Sequence, residues 1–274
     1  LDAVSQVERL GRRLAALGLP PRPTGLRINP GAGVGYNEKL AYSGERPTKF
    51  GIYEDRVAEA VAAATHHGLS IDTVHVHAGS GWLADGLAAF EAALERVVAV
   101  TRRLLADGHP IVELNVGGGL GVPARSEEQR VDLDAYAAAI ARQTAGLDLV
   151  IGCEPGDYLA KDTAILLAEV VTVEERAGTR YVGLDAGWNV NCSFFIYGYA
   201  QELVVCRAAD AARTERVTIA GHINEAGDLF AEDYDLPPVN EGDIVALLNA
   251  GGYHQAMSST HCLRPHAEAI YLDR

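Results

Sequence analysis

Apolar residues along the first 160 positions recur with two periods in alternation. Val4, Val7, Leu10, Leu14 and Leu17 fall on one face of a helix that Gly18 and Pro20 end. Residues 25–29 read as a short buried strand stopped by Pro30. Residues 55–67 read as a helix with Val57, Val61 and Ala64 inward, and 73–77 as a strand. Leu87, Phe90, Leu94, Val97 and Leu104 mark a long helix that Gly108 and Pro110 close. Strands at 111–116 and 149–153 flank a helix at 132–142. Strands that alternate with helices imply parallel pairing through right-handed crossovers. In such folds the site gathers at the C-terminal ends of the strands. Arg27, Asn29, His75, His77, the glycines after residue 116 and Glu154 are therefore expected to face one pocket. From about Thr163 the pattern changes. Strands are expected at 165–175, 180–185, 203–206, 216–220, 243–248 and 269–272, with little helix between them, as in a mostly antiparallel domain. The expected division is 1–160 and 161–274. The first part holds too few strand–helix units to close an eight-stranded barrel, so either its sheet is open or the N-terminal half of a barrel is missing.

Composition narrows the function. With 48% apolar and 22% charged residues the chain is globular, and no apolar run approaches the ~20 residues of a membrane span. A net charge of -14 disfavours a nucleic-acid partner. The charged opening is not that of a signal peptide. The spacings of Cys153, Cys192, Cys206 and Cys262 match neither a zinc pattern nor a disulfide framework, so reduced thiols in a cytoplasm are expected. There are only three lysines: Lys39, Lys49 and Lys161.

Several segments could carry chemistry. Gly117, Gly118, Gly119 and Gly121 follow a strand; such a run is either an anion-binding nest or simply a tight turn. His75 and His77 end another strand, with Ser80 close behind. They could form a metal pair, as in a barrel hydrolase, or an imidazole could lie against a flat ligand, or both could be ordinary hydrogen-bonded histidines. Glu154, before Pro155 and Gly156, could pair with a ligand cation or be a surface carboxylate. Residues 224–228 and 250–253 read singly as polar turns.

Taken in order, these segments resemble the fold-type III pyridoxal-phosphate decarboxylases that act on diaminopimelate, ornithine and arginine. The likeness runs from Arg27-Ile28-Asn29-Pro30-Gly31 through Lys49-Phe50-Gly51, His77-Ala78-Gly79-Ser80-Gly81, Gly117-Gly118-Gly119, Glu154-Pro155-Gly156 and Asp185-Ala186-Gly187. It continues through residues 225–228 to Gly251-Gly252-Tyr253. The resemblance implies an alanine-racemase-like (β/α)8 barrel, partial here, followed by a β-domain, in a head-to-tail homodimer with pyridoxal 5'-phosphate as cofactor. It implies that His77 stacks on the cofactor ring and that Glu154 pairs with the pyridine nitrogen. It implies that Ser80, Gly118, Gly119 and Tyr253 hold the phosphate, that Gly117 and Gly156 belong to the cofactor site, and that Arg27 lies near the cofactor and helps orient it. The implied activity is decarboxylation of an amino acid or an amino-acid conjugate.

The chain also departs from the family. No lysine has the context of the family's Schiff-base lysine, and the chain opens on what should be a mid-barrel helix. The expectation is therefore a chain lacking its N-terminal part and incomplete on its own, with a non-catalytic cofactor-binding relative as the alternative. Asp157 stands where the family often has arginine, which would favour a cationic substrate group and disfavour diaminopimelate. Asn224 replaces a cysteine linked to proton return and cannot supply a proton as a thiol does. Glu225 could hold a distal amine. Trp188, with Phe194 and Phe195, suggests a larger or flatter substrate than a simple diamino acid.

Overall fold

The computed structural model describes residues 1–35, 46–199 and 201–272. The chain divides into two compact units, Leu1–Gly121 with Gln129–Gly156, and Val122–Glu128 with Asp157–Arg274. Lys39 lies outside the described residues.

The first unit runs α1 (Val4–Ala16), β1 (Pro23–Asn29), β2 (Ile52–Tyr53), α2 (Val57–His66), β3 (Ser70–His75), α3 (Leu87–Ala106), β4 (Glu113–Asn115), α4 (Leu133–Gln143) and β5 (Val150–Gly152). Its five strands pair in parallel in the order β2-β1-β3-β4-β5. This is the parallel sheet of a partial barrel. Its core is apolar because the inner strands lie between layers: Leu26, Val74 and Leu114 are fully buried. Helix α3 turns Phe90, Leu94, Val97 and Leu104 inward at helical spacing. Phe90 stacks on Trp82 at 5.3 Å and meets Tyr136 of α4 at 4.9 Å. Asp132 caps α4 by accepting from the N–H groups of Asp134 and Ala135.

Strand β3 stops at His75, two residues short of the expected end. His77 therefore sits beyond the ladder. The chain there is tied instead to residue 34, whose N–H donates to Ala78 O and whose carbonyl accepts from Ser80 N, both at 2.9 Å.

In the second unit a short helix α5 (Gly156–Ala160), begun on the last residue of the first unit, leads to β6 (Leu166–Arg176) and β7 (Thr179–Leu184). Then follow α6 (Ser193–Tyr197), β8 (Leu203–Val205), β9 (Glu215–Ala220), β10 (Leu229–Leu236), β11 (Ile244–Leu247) and α7 (His254–Met257). The sheet order is β10-β9-β7-β6-β11-β8, antiparallel except for β7 beside β9. Val170, Val182, Leu184, Ile219, Leu236 and Val245 form its core.

Two differences from the sequence reading have physical reasons. Strand β10 is not among the expected strands. It carries Glu232, Asp233 and Asp235, which disfavour strands, and it accommodates them with register shifts and a positive φ of 49° at Asp233. The expected strand at 269–272 does not form. Ile270, Tyr271 and Leu272 are 77–89% exposed, and among the described residues no strand pairs with them. Side-chain propensity alone does not hold an unpaired strand in water.

Candidate functional site

The first unit builds its cluster from one residue per strand. The register pairs Arg27 with His75, His75 with Asn115, and Asn115 with Gly152, so β3, β4 and β5 deliver their last residues, and β1 a residue two short of its end, to one row. Two residues beyond that row stands Glu154, whose N–H donates to Gly117 O at 2.9 Å. Each carboxylate oxygen of Glu154 has a donor. Asn115 Nδ2 donates to Oε1 at 3.1 Å, and His75 Nε2 donates to Oε2 at 3.3 Å. Burial lowers the pKa of His75, partly opposed by Glu154. A neutral imidazole on Glu154 leaves the carboxylate charge uncompensated by a cation. The Glu154 side chain is 52% exposed, so that charge stays open to a ligand.

His77 is pulled down to about 4, first by burial and then by the positive charge of Arg27. It is a neutral ring at pH 7. Its Nδ1 accepts from Gly118 N at 3.3 Å, which places the ring hydrogen on Nε2. Gly117 N donates to Asn115 Oδ1 at 2.9 Å, so two of the three N–H groups of the glycine turn already have side-chain partners. The turn admits only glycine. Residues 117 and 119 have φ of 71° and 99°, and a Cβ on Gly118 would stand 2.0 Å from Glu154 O. Arg27 lies with its guanidinium 4.8 Å from the centre of the Phe50 ring and its Nε 3.7 Å from Asp2 Oδ1.

This donor set fits pyridoxal phosphate. An open carboxylate suits a protonated pyridine, a neutral flat imidazole suits the face of an aromatic ring, and a turn stripped of side chains lets an anion reach the backbone. Among the described residues no group of three or more His, Cys, Asp or Glu side chains gathers as a metal site.

The second unit carries the remaining residues. Buried Asp228 organises the loop before it, accepting from Ile223 N and Trp188 N at 2.6 Å each, and burial raises its pKa. Asn224 and Glu225 are exposed on that loop, with Glu225 Oε1 3.8 Å from His261 Nε2. Trp188 stacks on Phe195 at 5.2 Å and meets His261 at 4.8 Å. Tyr253 is 60% exposed with a φ of 64°. Asp157 is buried, with Lys161 Nζ 3.3 Å from its Oδ2.

Two participants escaped the sequence reading. Asn115 was only a strand residue there, although Asn two positions before a glycine is a readable turn signal. Lys161 was only a junction residue, although it stands four positions after Asp157, the spacing of a helical ion pair.

The pattern of the pyridoxal-dependent decarboxylase pyridoxal-binding domain matches residues 1–161, and that of the C-terminal sheet domain of the same enzymes matches residues 121–251. A diaminopimelate decarboxylase of Methanothermobacter thermautotrophicus is 34% identical over 97% of this chain and 62% of its own. One of Escherichia coli K12 is 30% identical over 90% of this chain and 61% of its own. The crystal structure of the Helicobacter pylori diaminopimelate decarboxylase complexed with L-lysine superposes with a TM-score of 0.85 at 27% identity, covering 97% of this chain and 65% of that one. The Paramecium bursaria Chlorella virus arginine decarboxylase shares the fold, with a TM-score of 0.77 at 18% identity.

These matches correct one expectation. A chain lacking its N-terminal part, and incomplete for that reason, was inferred from its opening and its lysines. The pyridoxal-binding pattern is instead met from residue 1, the sheet-domain pattern follows, and the Helicobacter pylori structure aligns to 97% of the chain. The chain spans about three fifths of the length of the curated relatives it matches. Its two units carry the alanine-racemase-like architecture, and the chain belongs to the pyridoxal-dependent decarboxylase family.

Proposed function

We propose that the protein catalyses pyridoxal-phosphate-dependent decarboxylation of an amino acid or an amino-acid conjugate. The observation that carries this reading is Glu154, held on both oxygens by neutral groups and left charged at the ends of the parallel strands. When bound, the cofactor would supply an electron-accepting ring for the pair left on the α-carbon as the carboxylate departs as carbon dioxide. Glu154 holds a proton at the pyridine nitrogen. His77, neutral and locked by Gly118, offers a flat face without adding a competing positive charge. Gly119, Ser80 and Tyr253 are the residues that would hold the phosphate end, with Gly117 and Gly118 shaping the turn beside it.

The substrate is an amino acid, and its identity belongs to this proposal. Asp157 gives no ground for excluding a second carboxylate, because its charge is matched by Lys161. Glu225 and the shelf of Trp188 and Phe195 are the groups offered to the distal end of the substrate. No helix among the described residues is long and apolar enough to cross a membrane. A cytoplasmic homodimer is the setting proposed, consistent with four thiols that form no disulfide.

A second reading, a cofactor-binding relative without turnover, is favoured by Asn224, which cannot return a proton to carbon as an acid. One experiment separates the two. The protein is given pyridoxal phosphate, and carbon dioxide release is measured from diaminopimelate, ornithine, arginine and lysine. Saturable cofactor binding with release from one of them supports the enzyme. Binding with no release from any supports the second reading, and no binding overturns both.

A further inference from the structure

The buried ion pair at the start of the second unit has no part in the chemistry described so far. Asp157 and Lys161 side chains are 9% and 6% exposed, and Lys161 Nζ donates to Asp157 Oδ2 at 3.3 Å. The same ammonium lies 4.4 Å from the centre of the Tyr199 ring. Burial lowers the Lys161 pKa while Asp157 opposes it, so the ammonium depends on its carboxylate neighbour.

The backbone carrying this pair receives the turn that presents Tyr253. Gly251 N donates to Lys161 O at 2.9 Å. A Cβ on Gly251 would stand 2.0 Å from Ala160 O, and one on Gly252 would stand 2.7 Å from Asp157 Oδ1. The two glycines thus lie in direct contact with the residue 157–161 segment, with no room between. On the far side, His254 Nδ1 donates to Gly252 O at 2.7 Å, which leaves Nε2 to accept from Ser193 Oγ at 2.8 Å. Ser193 and His254 are both buried. The chain is fastened before and after Tyr253, while the tyrosine itself projects at positive φ and stays 60% exposed.

We infer that the Asp157–Lys161 pair is a positioning device: it fixes the turn that aims the Tyr253 phenol at an anionic ligand group. The ligand named here, a phosphate ester, rests on the function proposed above. A buried aspartate stripped of its cation must take up a proton or turn toward water. Either response moves the α5 segment, and the close-packed glycines move with it. Lys161 and Asp157 are then positioning residues, and Tyr253 is the one that touches the ligand.

The test compares pyridoxal phosphate with pyridoxal, using quenching of tryptophan fluorescence, in the wild type, K161M, Y253F and the double variant K161M/Y253F. Amide hydrogen exchange over residues 250–254 is followed in the ligand-free protein. K161M is expected to weaken pyridoxal phosphate binding about tenfold, to leave pyridoxal binding unchanged, and to add nothing to Y253F. Exchange over 250–254 is expected to rise at least about tenfold. Should K161M not fold, D157N, which breaks the pair from the other side, carries the same expectations, and D157N/K161M, which strands no charge, is expected to lie nearer the wild type. Faster exchange with unchanged preference for the phosphate overturns the inference, since the pair would then be structural only. Unchanged exchange overturns it as well. If the wild type binds neither compound, the proposed function falls and the exchange result alone decides the clamp.

Discussion

Glu154 and Asp157 lie three residues apart in the sequence and in opposite circumstances. Glu154 is half exposed and bonded only to neutral donors, Asn115 and His75. Asp157 is buried against a lysine. A carboxylate supported by neutral groups keeps a field that a ligand cation can feel. One closed in a pair has its charge cancelled locally and contributes through geometry instead. On the proposed function, chemistry and support part within one short stretch of chain, which residue type alone does not reveal.

The contrast predicts unequal responses to mutation. K161M removes the cation beside a buried carboxylate and is expected to lose about 3–5 kcal/mol of stability, with D157N/K161M recovering most of it in urea titrations. Equal losses for single and double variants would show that the charge is not the issue. The imidazole of His77 gives the next effect. Unfolded, it takes up a proton near pH 6.5; folded, it resists until about 4. Stability is then full above pH 6.5 and falls as the pH drops toward 4, by about 3 kcal/mol. The lowered pKa values of His75 and His254 act in the same direction. Replacing His77 with Gln should flatten this slope, measured by denaturation between pH 7 and pH 4.5.

Glu154 should behave the other way round from Asp157. E154Q is expected to leave stability within about 1 kcal/mol while lowering turnover about a hundredfold. A large loss of stability would place Glu154 with the structural carboxylates. The smallest effect belongs to N115A, which removes one donor from Glu154 and from Gly117. About 1 kcal/mol of stability and a roughly tenfold fall in turnover are expected from guanidinium titration and steady-state rates.

The sequence exposes the parts of this picture that periodicity and strand ends control. Helix α3 is legible because five large apolar residues repeat at helical spacing. The convergence of Arg27, His75 and Glu154 follows from their places at or just after strand ends. The bond from Asn115 to Gly117 is local and readable, whereas its bond to Glu154 was hidden because that partner lies 39 residues away, after another strand. Lys161 was hidden because the helix that joins it to Asp157 is five residues long and leaves almost no periodic signal. Strand β10 was masked by its acidic residues, and residues 269–272 were over-read because propensity says nothing about whether a pairing edge is at hand.

The row Arg27, His75, Asn115 and Gly152 bears on which insertions and deletions the chain can tolerate. The loops leading into each strand can lengthen or shorten, because the ladder resets the register before the row is reached. One residue added inside β4 would instead turn Asn115 to the opposite face and withdraw a donor from Glu154. Length variation should therefore collect at the entrances of the parallel strands and be absent from the few residues before their ends.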